Sequence, residues 1–103
     1  MRIVQSRNGV PIRLTEERWA HIRSRHPEVE EERERVLETI SDPDMIQDGD
    51  TGELLAIRRY ERTRLSSKHM VVPYREVSTE DGFVLTAYLT NEPSTGRRTV
   101  WRR

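Results

Sequence analysis

Apolar positions recur at two periods along the chain, helical in the first half and alternating in the second. The leader Ile3 to Arg13 carries the turn signal Asn8-Gly9 and then the alternating residues Val10, Ile12 and Leu14, which predicts a small hairpin or an edge strand. Thr15 reads as a helix N-cap. Glu16 and Glu17 follow in the first turn, where carboxylates oppose the positive end of the helix dipole, and Leu14 precedes the cap as a staple for Trp19. Trp19 and Ile22 share a face, and Pro27 forces His26 out of helical geometry, so this helix lasts about three turns. Pro27 also suits the first position of a second helix with an acidic opening, Glu28, Glu30, Glu31 and Glu32, and an apolar stripe of Val29, Val36, Leu37 and Ile40. Ser41-Asp42-Pro43-Asp44 stops it.

Beyond Met45 and Ile46, which open a strand, the turn Gln47 to Gly52 leads into an extended run from Glu53 to Arg62. The β-rich segments Lys68 to Val77 and Phe83 to Thr90 are joined through Asp81-Gly82 as a hairpin. Pro73 inside the first of them predicts an edge strand or a bulge. Arg98 to Trp101 supplies a last short strand. The expected architecture is one α+β domain over residues 1–103, with two N-terminal helices packed on one face of a four- to five-stranded antiparallel β-sheet. Its expected core is Trp19, Ile22, Val36, Leu37, Ile40, Leu85, Ala87 and Leu89.

Composition narrows the chemistry. The chain has no Cys, which excludes disulfides, thiolate zinc sites and a cysteine nucleophile, so His, Arg, Tyr, Ser, Thr and carboxylates must carry any reaction. The longest apolar run is four residues, Leu54 to Ile57, and the start of the chain has no signal-like apolar stretch, so a cytoplasmic, membrane-free protein is expected. Zero net charge conceals a segregation. Residues 1–27 hold six Arg against two Glu, residues 28–53 eleven acids against two Arg, and residues 54–103 ten bases against five acids. An acidic helix beside a basic sheet is the expected outcome, with an anionic ligand on the basic side. Only Lys68 interrupts a run of 17 Arg among the basic residues, which suits bidentate phosphate recognition, although a GC-rich genome explains the same bias.

Two segments hold candidate chemistry. In the first, His26 leaves a helix end beside Arg25 and is a candidate proton-transfer group; the competing role is a helix cap filling a seam between helices. In the second, alternation sets Leu55, Ile57 and Arg59 against Leu54, Ala56, Arg58 and Tyr60, and Phe83, Leu85, Ala87 and Leu89 against Val84, Thr86, Tyr88 and Thr90. The polar face gathers Arg58 or Arg59, Tyr60, His69 and Arg75 near Thr86 and Tyr88, with solvent exposure of a one-sided sheet as the plain alternative. His21 and His26 lack the spacing of a helical metal pair, so no metal ligands and no cofactor are assigned.

The string W-x-H-I-x-x-R-H-P-E (Trp19 to Glu28), followed by an acidic helix, Asp42-Pro43-Asp44-Met45-Ile46 and Thr86-Ala87-Tyr88, resembles small phage-associated proteins of the barnase, EndoU, colicin and RelE-type nuclease superfamily, over most of the chain. The resemblance implies a metal-independent, toxin-like endoribonuclease with its site on the open face of the sheet. It matches His26, a strand Arg and Thr86 to that site. The residues assigned from both lines are His26, Arg59, Thr86 and Tyr60 for catalysis, and Arg25, Arg58, Arg75 and Tyr88 for RNA binding, with Arg58 the alternative strand Arg. RNA is the expected partner, and an antitoxin protein a further candidate. A non-catalytic RNA- or protein-binding module on the same fold is the alternative.

Overall fold

In the computed structural model, which describes residues 1–103, the elements run β1 (Arg2–Gln5), β2 (Pro11–Leu14), α1 (Glu16–Arg25), a 3-10 turn (Pro27–Val29), α2 (Arg33–Ser41), β3 (Met45–Asp48), β4 (Leu54–Thr63), β5 (Ser66–Ser78), β6 (Asp81–Val84), β7 (Tyr88–Thr90) and β8 (Thr99–Arg102). The helices do begin the chain after a β leader. The sheet, however, has eight strands and is mixed, in the order β1-β2-β6-β5-β4-β3-β8 with β7 also on β5, rather than the expected four or five antiparallel strands. The difference arises at β2, which pairs parallel with β6 through Ile12↔Gly82 and Arg13↔Phe83 and so adds the leader hairpin to the sheet. Gly82 permits this joint. A Cβ there would lie 2.5 Å from Ile12 Cδ1 and 2.6 Å from the Arg75 carbonyl oxygen, so only glycine lets the two strands and the Ile12 side chain close together. Periodicity shows that a segment is extended and which residues share a face; it does not name the neighbouring strand.

The N-terminal signals of α1 are realised. Thr15 Oγ1 accepts from the Arg18 N–H at 3.1 Å, and the His26 N–H closes the other end on the Ile22 carbonyl at 2.8 Å. The second helix does not start at Pro27: residues 27–29 form a single 3-10 turn, and α2 begins at Arg33. A continuous helix would stack Glu28 over Glu31 and Glu32, and Glu30 over Glu34, like charges at i,i+3 and i,i+4 that destabilise it. Val29 is nonetheless fully buried with Val36, Leu37 and Ile40, as the stripe predicted.

Pro73 sits in β5, which is central and not an edge. Its carbonyl accepts the N–H groups of Leu85 (2.9 Å) and Thr86 (3.4 Å), and in an antiparallel strand the N–H and C=O of one residue point to the same neighbour. The donor that proline lacks is therefore missing on that side. The expected strand 83–90 breaks there into β6 and β7, with residues 85–87 irregular. The break resets the alternation. Val84 and Ala87 are buried, Leu85 and Leu89 only half-buried, and Tyr88 packs with Leu55, Ile57 and Val71.

The main core lies between the helices and one face of the sheet and includes Trp19, Ile22, Leu37, Met70, Val72 and Tyr74. On the opposite face a second, smaller cluster of Leu55, Ile57 and Val71 is flanked by Met45 and Tyr88. The sheet curls round the helices: Arg7, in the β1–β2 turn, lies 4.8 Å over the ring of Trp101 in β8, from the other end of the strand order. No helix is long and apolar enough to cross a membrane.

The segregation of charge along the sequence does not survive folding. Asp42 is bound by Arg58 and Arg103, Asp44 by Arg103, Asp48 by Arg98, Asp50 by Arg97 and Glu34 by Arg2. The acidic middle of the chain thus meets its basic ends, and the expected field of an acidic helix beside a basic sheet is largely cancelled.

Candidate functional site

The open face of the sheet is ordered in rows set by the register. Arg59, His69 and Thr90 lie opposite one another across β4, β5 and β7; the next row is Arg102, Met45, Ile57, Val71 and Tyr88 across β8, β3, β4, β5 and β7. Gln47 and Leu55 are neighbours in the row beyond. Directly opposed side chains have Cβ atoms about 4.5–5.5 Å apart, so each row is a line of side chains in contact range. An apolar floor of Leu55, Ile57 and Val71 therefore lies between polar groups.

Residues 91–98 fold back over this floor. Buried Gln47 donates from Nε2 to the Ser94 carbonyl at 2.8 Å, the Asp48 N–H bonds the Arg98 carbonyl at 2.9 Å, and Arg97 pairs with Asp50 at 2.9 Å. Two adjoining cavities result. One of about 540 Å³ is lined by His69, Arg97, Thr99 and Arg102 among others, with Met45 its single hydrophobic residue. The other, about 240 Å³, has Leu55, Ile57, Val71 and Tyr88 in its walls. Gln47, Glu92, Pro93, Ser94 and Arg97 line both.

His26 reaches Tyr88 from the end of α1. The two ring centroids are 5.8 Å apart with an interplanar angle of 35°, and His26 Nδ1 lies 3.4 Å from Glu28 Oε2. The imidazole side chain is 35% exposed, so it both caps the helix and stays open to solvent. Burial pushes the Tyr88 phenol above its ordinary pKa, and the positive charge of Arg97 opposes that shift. The phenol is consequently a protonated hydrogen-bond donor at neutral pH. Arg25, the last residue of α1, is exposed and has no side-chain partner within the protein.

Of the residues assigned from sequence, His26 and Tyr88 come together. Thr86 joins them only along the chain, in the irregular link two residues ahead of Tyr88, with its N–H on Pro73. Arg59 is on the open face, but its guanidinium is engaged at 2.7 Å by Glu61 and at 2.7 Å by Ser67 Oγ. Arg75 is on the same face and holds the Thr51 carbonyl at 3.0 Å, supporting the turn before β4. Tyr60 and Arg58 belong to the helix-covered face. The Tyr60 hydroxyl donates to Glu38 Oε1 at 2.6 Å, the guanidinium carbons of Arg35 and Arg58 lie 4.6 and 5.6 Å from the Tyr60 ring centroid, and burial with the adjacent Glu38 carboxylate raises its pKa far above the ordinary value. These two residues brace α2 against β4.

His69, Arg97, Arg102 and Gln47 are the site residues that sequence reading did not assign. Alternation alone put His69 on the polar face, but its neighbours depend on register. Its Nδ1 lies 3.0 Å from the Asn91 carbonyl oxygen, which can only accept, so Nδ1 carries the proton and Nε2 is left without a protein partner. No three His, Asp or Glu side chains converge as a metal-binding set. No known family model, no curated protein and no solved structure matches this chain.

Proposed function

We propose that the protein is a metal-independent, toxin-like endoribonuclease whose open sheet face holds single-stranded RNA. The observation that carries this reading is His26: a half-exposed imidazole oriented by Glu28 and set against the Tyr88 ring at the rim of the open face. The resemblance of the Trp19 to Glu28 string to phage-associated nucleases supports the same assignment.

The reaction asks for proton transfer and charge stabilisation only. The 2′-oxygen of the ribose loses its proton and bonds to phosphorus, the bond from phosphorus to the 5′-oxygen breaks, and that oxygen gains a proton. His26 serves as one of the two proton-transfer groups, its ring positioned by the 3.4 Å contact of Nδ1 with Glu28 Oε2. The Tyr88 phenol donates a hydrogen bond to a phosphoryl oxygen, and Arg25 adds positive charge beside it.

His26→Ala should lower RNA cleavage by roughly 10²–10⁴-fold while leaving the fold intact. Cleavage should persist in EDTA and leave 2′,3′-cyclic phosphate ends. A folded protein that leaves a panel of RNAs intact, or a His26→Ala variant as fast as wild type, overturns the assignment. RNA binding without cleavage would favour the non-catalytic module, in which His26 is only a helix cap.

A further inference from the structure

The two cavities under residues 91–98 differ in chemistry in a way that matches the two ends of one small ligand. The larger brings the cations of Arg102 and Arg97, His69 and the hydroxyl residues Ser94, Thr95 and Thr99 together against a single carboxylate, Glu92. Arg97 is neutralised by Asp50, but the Arg102 guanidinium has no partner in the protein, and His69 Nε2 is likewise unpaired. Of the other open-face arginines, Arg13, Arg59 and Arg97 each meet a carboxylate and Arg75 holds the Thr51 carbonyl, so an unpaired cation lining the same cavity as an unpaired imidazole marks a place for an anion. The smaller cavity, which shares Gln47, Pro93 and Ser94 with it as wall residues, offers an apolar floor and the Tyr88 ring, a surface for stacking a planar base. Its roof is already fixed by the Gln47 to Ser94 bond, so a ligand need not order it.

We infer that these adjoining cavities form a nucleotide subsite, the base lying on Leu55, Ile57 and Val71 against Tyr88, and the phosphate held by Arg102 and His69. This deepens the ribonuclease reading and rests on it for the identity of the open face as the RNA surface. Tyr88 is then shared: one side faces the bound base and the other His26, which would set the nucleotide held here next to the group that transfers the proton.

The test is a titration of the intact protein with uridine 5′-monophosphate, uridine and inorganic phosphate, followed by the NMR signals of the His69 imidazole and the Tyr88 ring. The nucleotide should shift both residues and saturate. Phosphate should move His69 alone and uridine Tyr88 alone, each binding more weakly than the nucleotide. Arg102→Ala should weaken nucleotide binding by about tenfold or more, whereas Arg64→Ala, which removes the same charge from the β4–β5 turn, should change it by less than about twofold. Phosphate binding as tightly as the nucleotide, no shift at millimolar nucleotide, or equal effects of the two Arg variants would each overturn the subsite. Cleavage of RNA by a protein that fails this titration removes the subsite and leaves the nuclease reading intact. Saturable nucleotide binding by a protein that cleaves nothing does the reverse, leaving a nucleotide site without the reaction.

Discussion

Tyr60→Phe separates a bracing role from a catalytic one at a residue whose sequence position, on the strand carrying Arg58 and Arg59, suggested chemistry. The hydroxyl donates to Glu38 Oε1 at 2.6 Å and lies 3.3 Å from the Arg35 carbonyl. A hydrogen bond to a charged group contributes about 1.5–3 kcal/mol. Here the Glu38 side chain is 48% exposed and also within 3.6 Å of Arg58, so water and Arg58 recover part of the loss and the cost falls at or below the lower end of that range, about 1–2 kcal/mol. The ring itself, buried between Arg35 and Arg58, is unchanged by the substitution. For a domain of this size each 1 kcal/mol shifts Tm by roughly 4–8 °C. Thermal unfolding followed by circular dichroism should therefore show a fall of about 4–16 °C, while RNA cleavage at 25 °C, well below the transition, stays near the wild-type rate. A large loss of cleavage with an unchanged Tm would refute the bracing role and return Tyr60 to the reaction.

Leu37→Ala removes a side chain that is only 2% exposed between α2 and the sheet, and should cost about 2–5 kcal/mol in denaturant unfolding; a cost below about 1 kcal/mol would mean that the helix packing differs. Hydrogen bonds from Arg103 and then Arg58 hold the Asp42 carboxyl below the usual carboxylate pKa, so its stabilisation is present above the unfolded value and is lost as pH falls through the folded one. Asp42→Asn should then reduce stability at neutral pH and flatten the acid limb of the stability curve, and an unchanged acid limb would count against that pairing. Because most arginines already hold carboxylates, RNA binding should engage only two or three cations, giving a log–log salt slope of about −1.5 to −2 between 50 and 200 mM; a much steeper slope would require the ion pairs to open.

The charge pattern shows how position along the chain misleads about position in space. Asp42, Asp44, Asp48 and Asp50 fall in the acidic middle, but β3 runs beside β8, and that pairing delivers Arg97, Arg98 and Arg103 to them. Charge counted by segment described the chain and not its surface. For the candidate site, His26 and Tyr88 were legible because a His before Pro must leave the helix and an aromatic on an alternating strand must choose a face. Tyr60 was expected in the site because its type suits catalysis, yet its even position on β4 puts it with Leu54 and Ala56 under the helices.

By itself the sequence determined the local elements: the Thr15 cap, the helix stop at Pro27, the buried stripe Val29, Val36, Leu37 and Ile40, the extended runs, and a missing backbone donor at Pro73. Each follows from dihedral preference, a missing donor or a period, all properties of a few adjacent residues. Only the tertiary structure decided which strands are neighbours, and with that the docking of β2 on β6 over Gly82, the transfer of Val84 to the helix-covered core by the break opposite Pro73, and the meeting of His69 with Arg102 in one cavity. Register and strand order are set by the burial of whole faces and by backbone donors finding acceptors far along the chain, terms that no local window contains.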